Sequence, residues 1–171
     1  MKRAVAASIV VMVMLVAVGF FVAQAEAETV KGKTITYYTK TDIVPVPDVE
    51  NHFSGWAEKR GVSIFENGET AAYYCMFTID MIRGQGGSFK GYGILSYADG
   101  STQVIKFEGT TTAEKLSSYK GTTEYNKGTG QFEGIKGTGT FTGKYITPNT
   151  KDETKGDAIE EWTANYTLPK K

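Results

Sequence analysis

The chain has 171 residues, with nineteen Lys and Arg against nineteen Asp and Glu, one Cys and one His. Leaving out Lys2 and Arg3, which belong to an N-terminal targeting pattern, seventeen cations face nineteen acids, a charge of −2; this is no basic face for displacing the counterions of a nucleic acid. One Cys and one His exclude an intramolecular disulfide framework and a Cys/His zinc cluster, and the length suits one domain of about 100–150 residues with a real core.

Met1-Lys2-Arg3 is a short basic start, and no charge follows until Glu26. Ile9 to Val16 is the apolar centre, and Ala23-Gln24-Ala25 is a small-residue cleavage site, with Ala25-Glu26-Ala27 one step on. The segment 1–25 therefore reads as a signal peptide of an exported, periplasmic or extracellular protein. A retained anchor is the rival reading, since about 20 apolar residues span a bilayer. No Cys follows the apolar run, so nothing points to a lipid anchor. Residues 26–33 read as a short extension, 34–168 as the folded domain and 169–171 as a tail.

From Thr34 on, Tyr, Thr, Phe, Val and Ile recur, residues that fit a pleated and half-buried surface. Fourteen of the twenty Gly fall between Gly84 and Gly143. Glu66-Asn67-Gly68-Glu69, Ala98-Asp99-Gly100-Ser101 and Asn126-Lys127-Gly128-Thr129 read as hairpin turns, where Asn-Gly and Asp-Gly supply positive φ. Strands are predicted near 34–41, 52–58, 61–65, 70–82, 88–98, 101–110, 117–126, 130–146 and 158–168. The second and third also read as one bent strand, which makes eight. The stretches 42–51, with Pro45 and Pro47, and 147–157 read as loops.

Strand parity separates two faces. In the last strand Trp162, Ala164, Tyr166 and Leu168 oppose Glu161, Thr163, Asn165 and Thr167. In 130–146, Ile135, Phe141 and Tyr145 share a side with Gly137, Gly139 and Gly143, against Lys136, Thr138, Thr140 and Lys144. In 117–126, Tyr119, Thr123 and Tyr125 oppose Lys120, Thr122 and Glu124. Sequential hairpins with one dry face close most economically into a barrel, which removes exposed edges. A sandwich is the alternative. The fold class is all-β, a single antiparallel eight-stranded barrel.

Tyr97-Ala98-Asp99-Gly100-Ser101-Thr102, Phe107-Glu108-Gly109-Thr110 and the run Gly128-Thr129-Gly130-Gln131-Phe132-Glu133-Gly134-Ile135-Lys136-Gly137-Thr138-Gly139 carry a resemblance. Together they resemble bacterial secreted members of the allene oxide cyclase barrel-like group, whose superfamily includes the plant dirigent proteins. The likeness extends over roughly Thr34 to Leu168. It implies an eight-stranded antiparallel barrel with an internal cavity, in a group whose plant members cyclise a fatty-acid epoxide or steer phenoxy-radical coupling. The acidic catalytic residues of those relatives lie outside the matched motif and transfer to no position here.

Other motifs dissolve on inspection. Gly32-Lys33-Thr34 ends like a phosphate loop, but Ala27 stands where its first Gly belongs. Gly-x-Ser-x-Gly is absent, Gly84-Gln85-Gly86-Gly87 leads into a strand, and Asn165-Tyr166-Thr167 falls within one. Nothing in the sequence calls for a metal or a cofactor. Among chemically active residues, His52, Ser54, Trp56, Glu58 and Arg60 alternate and so share a face. With Trp56 inward, His52, Glu58 and Arg60 line the lumen and orient a polar head group or serve acid–base chemistry; in the opposite reading Phe53, Gly55 and Ala57 face in and the charges stand in water. Glu160 shares the parity of Trp162 and marks either a mouth of the lumen or a solvated end. Cys75 reads as a buried small hydrophobe, with a reactive thiol as the alternative.

The inward aromatic set is Tyr73, Phe77, Phe107, Tyr119, Phe141, Tyr145, Trp162 and Tyr166, joined by Trp56 in the first reading. An apolar lining with a few polar groups suits a small apolar or aromatic ligand, although a barrel of eight strands can be filled by its own side chains. A cofactor-independent cyclase or isomerase and a non-catalytic envelope interaction protein are the alternatives. No nucleic-acid partner and no membrane span after cleavage are expected; the oligomeric state stays open. The mature protein is expected to begin at Glu26 or within two residues of it. N-terminal sequencing of exported protein checks this, and full-length chain in the membrane fraction would establish the anchor instead.

Overall fold

The computed structural model describes residues 27–111, 118–147 and 156–169. The expected signal peptide, 1–25, lies outside them. Eight strands form: β1 (Ala27–Pro45), β2 (His52–Phe65), β3 (Thr70–Ile82), β4 (Gly86–Ser96), β5 (Thr102–Thr111), β6 (Ser118–Thr129), β7 (Lys136–Tyr145) and β8 (Asp157–Thr167). Each pairs antiparallel with its chain neighbours, and β1 also pairs with β8, so the sheet closes. That closure excludes the sandwich, and the segments expected at 52–58 and 61–65 are one strand.

Several boundaries differ from the sequence reading, for identifiable reasons. Ala27 to Lys33, read as an extension, are the start of β1 and pair with Thr167 to Glu161 of β8. Asp42 to Pro45, read as loop, pair with Trp56 to Phe53; Pro45 ends the strand, where its missing N–H costs no ladder bond. Thr39 is extra between Tyr38, opposite Lys59, and Lys40, opposite Glu58. This bulge switches the inward residues of β1 from Thr34, Thr36 and Tyr38 to Ile43. Asn126 to Thr129, read as a turn, continue β6 across a second irregularity opposite Val104 and Ile105. The actual turn is a 3₁₀ segment, Gly130–Phe132, and β7 starts only at Lys136 because Gly130 and Gly134, at φ 61° and 77°, reverse the chain there.

The other two expected hairpins stand, with a different geometry. At each, only the glycine, Gly68 or Gly100, is left-handed. Phe65 and Tyr97 accept from the glycine N–H and donate across to Glu69 and Ser101. These are three-residue loops closing on a left-handed Gly, whereas a two-residue type I′ turn requires positive φ at both central positions.

The interior divides in two. At the end bearing turns 66–69, 97–101 and 130–135, the lumen is packed solid by Phe65, Leu95, Tyr97, Ile105, Tyr125, Phe132, Ile135 and Tyr166. Tyr97 packs tilted against Phe132 at 4.6 Å between centroids, and Ile135 is fully buried. Toward the opposite end, Phe77, Phe107, Tyr119 and Phe141 form a second cluster with Phe89 and Tyr145. Trp162 and Tyr73 touch both clusters and mark the boundary. Ile135→Ala is expected to cost about 2–5 kcal/mol, by lost transfer energy and an unfilled cavity. Ile35→Ala, at a residue 46 % exposed on the outer wall, should cost far less; equal losses in denaturant titrations would contradict the plugged end.

Candidate functional site

Above the plug the rings touch one another around the wall without filling the centre, and a cavity of about 70 Å³ remains. Tyr73, Phe77, Phe107, Tyr119, Phe141, Tyr145, Trp162 and Glu160 line it, so eight of the thirteen residues singled out from the sequence come together around one space. Tyr166 also turns inward, but it lies in the plug against Tyr125 and lines nothing. The remaining four are on the outside.

Those four are misplaced by one choice of face. Along β2 the buried residues are Ala57, Lys59, Ser63 and Phe65, so His52, Trp56, Glu58 and Arg60 project outward together. Trp56 lies under the Lys40 ammonium, 4.8 Å from the ring centroid, and Arg60 lies over Tyr74. Both rings thus find partners on the wall rather than in the lumen. His52 bridges two carboxylates at the rim: Nδ1 is 2.5 Å from Asp48 and Nε2 2.7 Å from Asp80. It ties the loop after β1 to β3.

The face that turns inward carries Lys59, only 6 % exposed. Its Nζ lies 4.5 Å from the ring centroid of Tyr38, 5.0 Å from Tyr145, 5.2 Å from Tyr119 and 5.5 Å from Phe77. Four negative ring faces stabilise an ammonium that makes no ion pair among the described residues. Sequence reasoning passed over Lys59 because an isolated lysine in a strand is ordinarily solvated; its shared parity with Ala57, Ser63 and Phe65 was the available signal. Tyr38 was missed for a different reason, the Thr39 bulge that breaks parity within its strand.

Glu160 brings a carboxyl to the same cavity. Burial raises its pKa, and the Lys59 charge opposes that shift. Cys75, opposite Lys59 across the β2–β3 ladder, is buried, and its thiol is pushed up to about 11, chiefly by burial. It is a small hydrophobe with a resting thiol at neutral pH. Tyr38 and Tyr145 join hydroxyls at 2.5 Å, and the Tyr38 hydroxyl is held well above its usual range by burial and by Tyr145. Trp162 donates from Nε1 to Thr34 Oγ1 at 3.0 Å, and its ring covers Gly32, where a Cβ would meet the ring at 2.5 Å. Gly143 makes equivalent room for the Tyr119 ring. Inward glycines here seat rings from neighbouring strands.

Among the described residues no group of three or more His, Cys, Asp and Glu is placed to hold a metal, and no helix is long and apolar enough to cross a membrane. No protein-family model matches the sequence, and no curated protein does. Solved structures do. The pterocarpan synthase dirigent protein GePTS1 aligns at a TM-score of 0.51 and 16 % identity, over 86 % of this chain and 91 % of that one. The pterocarpan synthase dirigent protein PsPTS1 aligns at 0.49 and 16 %, over 86 % and 99 %. The barrel is dirigent-like in fold. At this identity the likeness reaches the architecture and no side chain of the dirigent-like lumen.

The rim clamp has a pH signature. Bonds to Asp80 and Asp48 raise the His52 pKa above 6.5, so the doubly protonated ring donates from both nitrogens. Its contribution to stability is full below the unfolded value and lost as pH rises through the folded one. NMR titration of this sole histidine should give a midpoint above 6.5 that falls in Asp80→Asn. A midpoint at or below the ordinary value would mean the clamp is not formed.

Proposed function

We propose that the protein is exported and binds a small apolar or aromatic molecule in the lumen of its barrel. The observation that carries this is the cavity itself: a close-packed core would leave no such space beside polar groups. Its 70 Å³ is room for about two water molecules at roughly 30 Å³ each, so only a very small molecule enters as the side chains stand. A larger one requires Met81 and Phe89, which line the cavity toward the 83–85 turn, to change rotamer. Export rests on the N-terminal pattern.

A cofactor-independent cyclase or isomerase, of the kind the allene oxide cyclase resemblance implies, is the second reading. It draws on Glu160, whose pKa is raised by burial beside the Lys59 ammonium, an arrangement that suits a proton donor. A contact role is supported by a different surface. Ile35, Tyr37, Val62, Met76 and Tyr92 stand exposed on the outer wall of β1–β4.

Fluorescence titration tests the binding reading. Trp56 is outside, so Trp56→Phe leaves Trp162 as the single tryptophan reporting on the cavity. Fatty acids, terpenoids and phenolics are the ligand classes to screen. Phe141→Ala and Tyr145→Ala should weaken binding roughly threefold to tenfold, from lost aromatic contact, while Lys136→Ala and Thr140→Ala leave it unchanged. If no class perturbs Trp162 and the inward variants change stability alone, the rings are only a core.

A further inference from the structure

Inside the lumen the hydrogen-bond inventory is lopsided. Lys59 brings three N–H donors and no acceptor, and its ammonium lies over the rings of Tyr38, Phe77, Tyr119 and Tyr145 with no carboxylate paired to it among the described residues. The Tyr119 hydroxyl is buried with no hydrogen-bond partner among the described residues, and it lines the cavity. Tyr38 and Tyr145 use one hydroxyl proton between them, which leaves the other to donate. Buried donors without acceptors, and a buried cation without a carboxylate in contact, each carry a desolvation cost that a bound acceptor would remove.

We propose that the ligand of this lumen is a compact organic anion, a carboxylate on an apolar body, with its oxygens toward Lys59 and Tyr119 and its body against the rings. The proposal rests on the lumen-binding reading and adds the charge of the ligand to it. A cationic ligand would meet Lys59 as a like charge. A neutral hydrocarbon would leave both the charge and the hydroxyls as they are.

Glu160 makes the site proton-linked. The groups that face it are Lys59 and the hydroxyls and thiol of Tyr38, Tyr73, Tyr119, Tyr125 and Cys75. Burial raises every one of the latter, which favours their neutral forms. With Glu160 protonated the lumen is cationic and receptive; with Glu160 ionised the two charges offset each other. Anion affinity therefore falls as pH rises through the Glu160 pKa, and binding takes up a proton above it.

The test uses isobutyrate, isobutanol and isobutylammonium, one shape in three charge states, followed through the Trp162 indole N–H resonance. Isobutyrate should bind at least about tenfold tighter than isobutanol, the scale of one hydrogen bond to a charged group, and isobutylammonium should not bind. Lys59→Met should abolish that preference while still admitting isobutanol. Tyr119→Phe should weaken isobutyrate alone, and Glu160→Gln should flatten its pH dependence. Equal binding of isobutyrate and isobutanol, or a preference that survives Lys59→Met, overturns the anion site and leaves lumen binding standing. Binding of none of the three, nor of any ligand in the fluorescence screen, removes lumen binding and the anion site with it.

Discussion

Closure of the sheet on itself is the constraint from which the rest follows. Because β1 pairs with both β2 and β8, every strand must commit one of its two faces to a shared interior. An eight-stranded barrel is just wide enough for those side chains to fill. At one end they do, with Ile135, Phe132 and Tyr97 as the plug. At the other the rings of Phe77, Phe107, Tyr119 and Phe141 lean on one another at centroid separations of 6.1–6.4 Å and leave a space between them. Glycine at Gly32 and Gly143 is what permits rings to lie so close to neighbouring backbone. The cavity is thus a product of where rings and glycines fall around the wall.

Into that space the fold places a cation and an acid that do not touch. An unpaired buried charge costs several kcal/mol. Cation–π contacts return about 0.5–2 kcal/mol each, and Lys59 has four. The ring cage therefore accounts for how the ammonium is tolerated. Glu160 has no such compensation beyond the field of Lys59, and its carboxyl responds by shifting toward the neutral form. A lumen built only for stability would hold a leucine or methionine at position 59. The present arrangement instead keeps two polar groups in an apolar setting, the composition on which the binding proposal rests.

The strands with clean alternation were legible in the sequence. Trp162, Ala164 and Tyr166 in β8, and Ile135, Phe141 and Tyr145 near β7, share their side in the barrel as their parity requires. The lining of the cavity was largely legible too, since large aromatics at alternating positions in a wet-and-dry strand have one place to go. β2 was not. Its outward residues include Trp56 and its inward ones include Lys59, so the size and charge of its side chains argued for the wrong face. Its outward members do share a side, but Lys40, Tyr74, Asp48 and Asp80 supply the partners that hold them there.

Sequence by itself determined the secondary-structure class, the near-complete strand order, the two Gly-centred hairpins at Gly68 and Gly100, and the aromatic inventory. Those properties are local: they depend on period, turn chemistry and composition within about ten residues. Tertiary structure alone decided which face of β2 turns inward, where the bulge at Thr39 reverses parity, and that Tyr38, Lys59, Phe77, Tyr119 and Tyr145 converge on one point. Alternation states that residues share a side without stating which side. Only the register of strands drawn from the whole chain, closed into a ring, brings a lysine from β2 under rings from β1, β3, β6 and β7 and within the field of a carboxylate from β8.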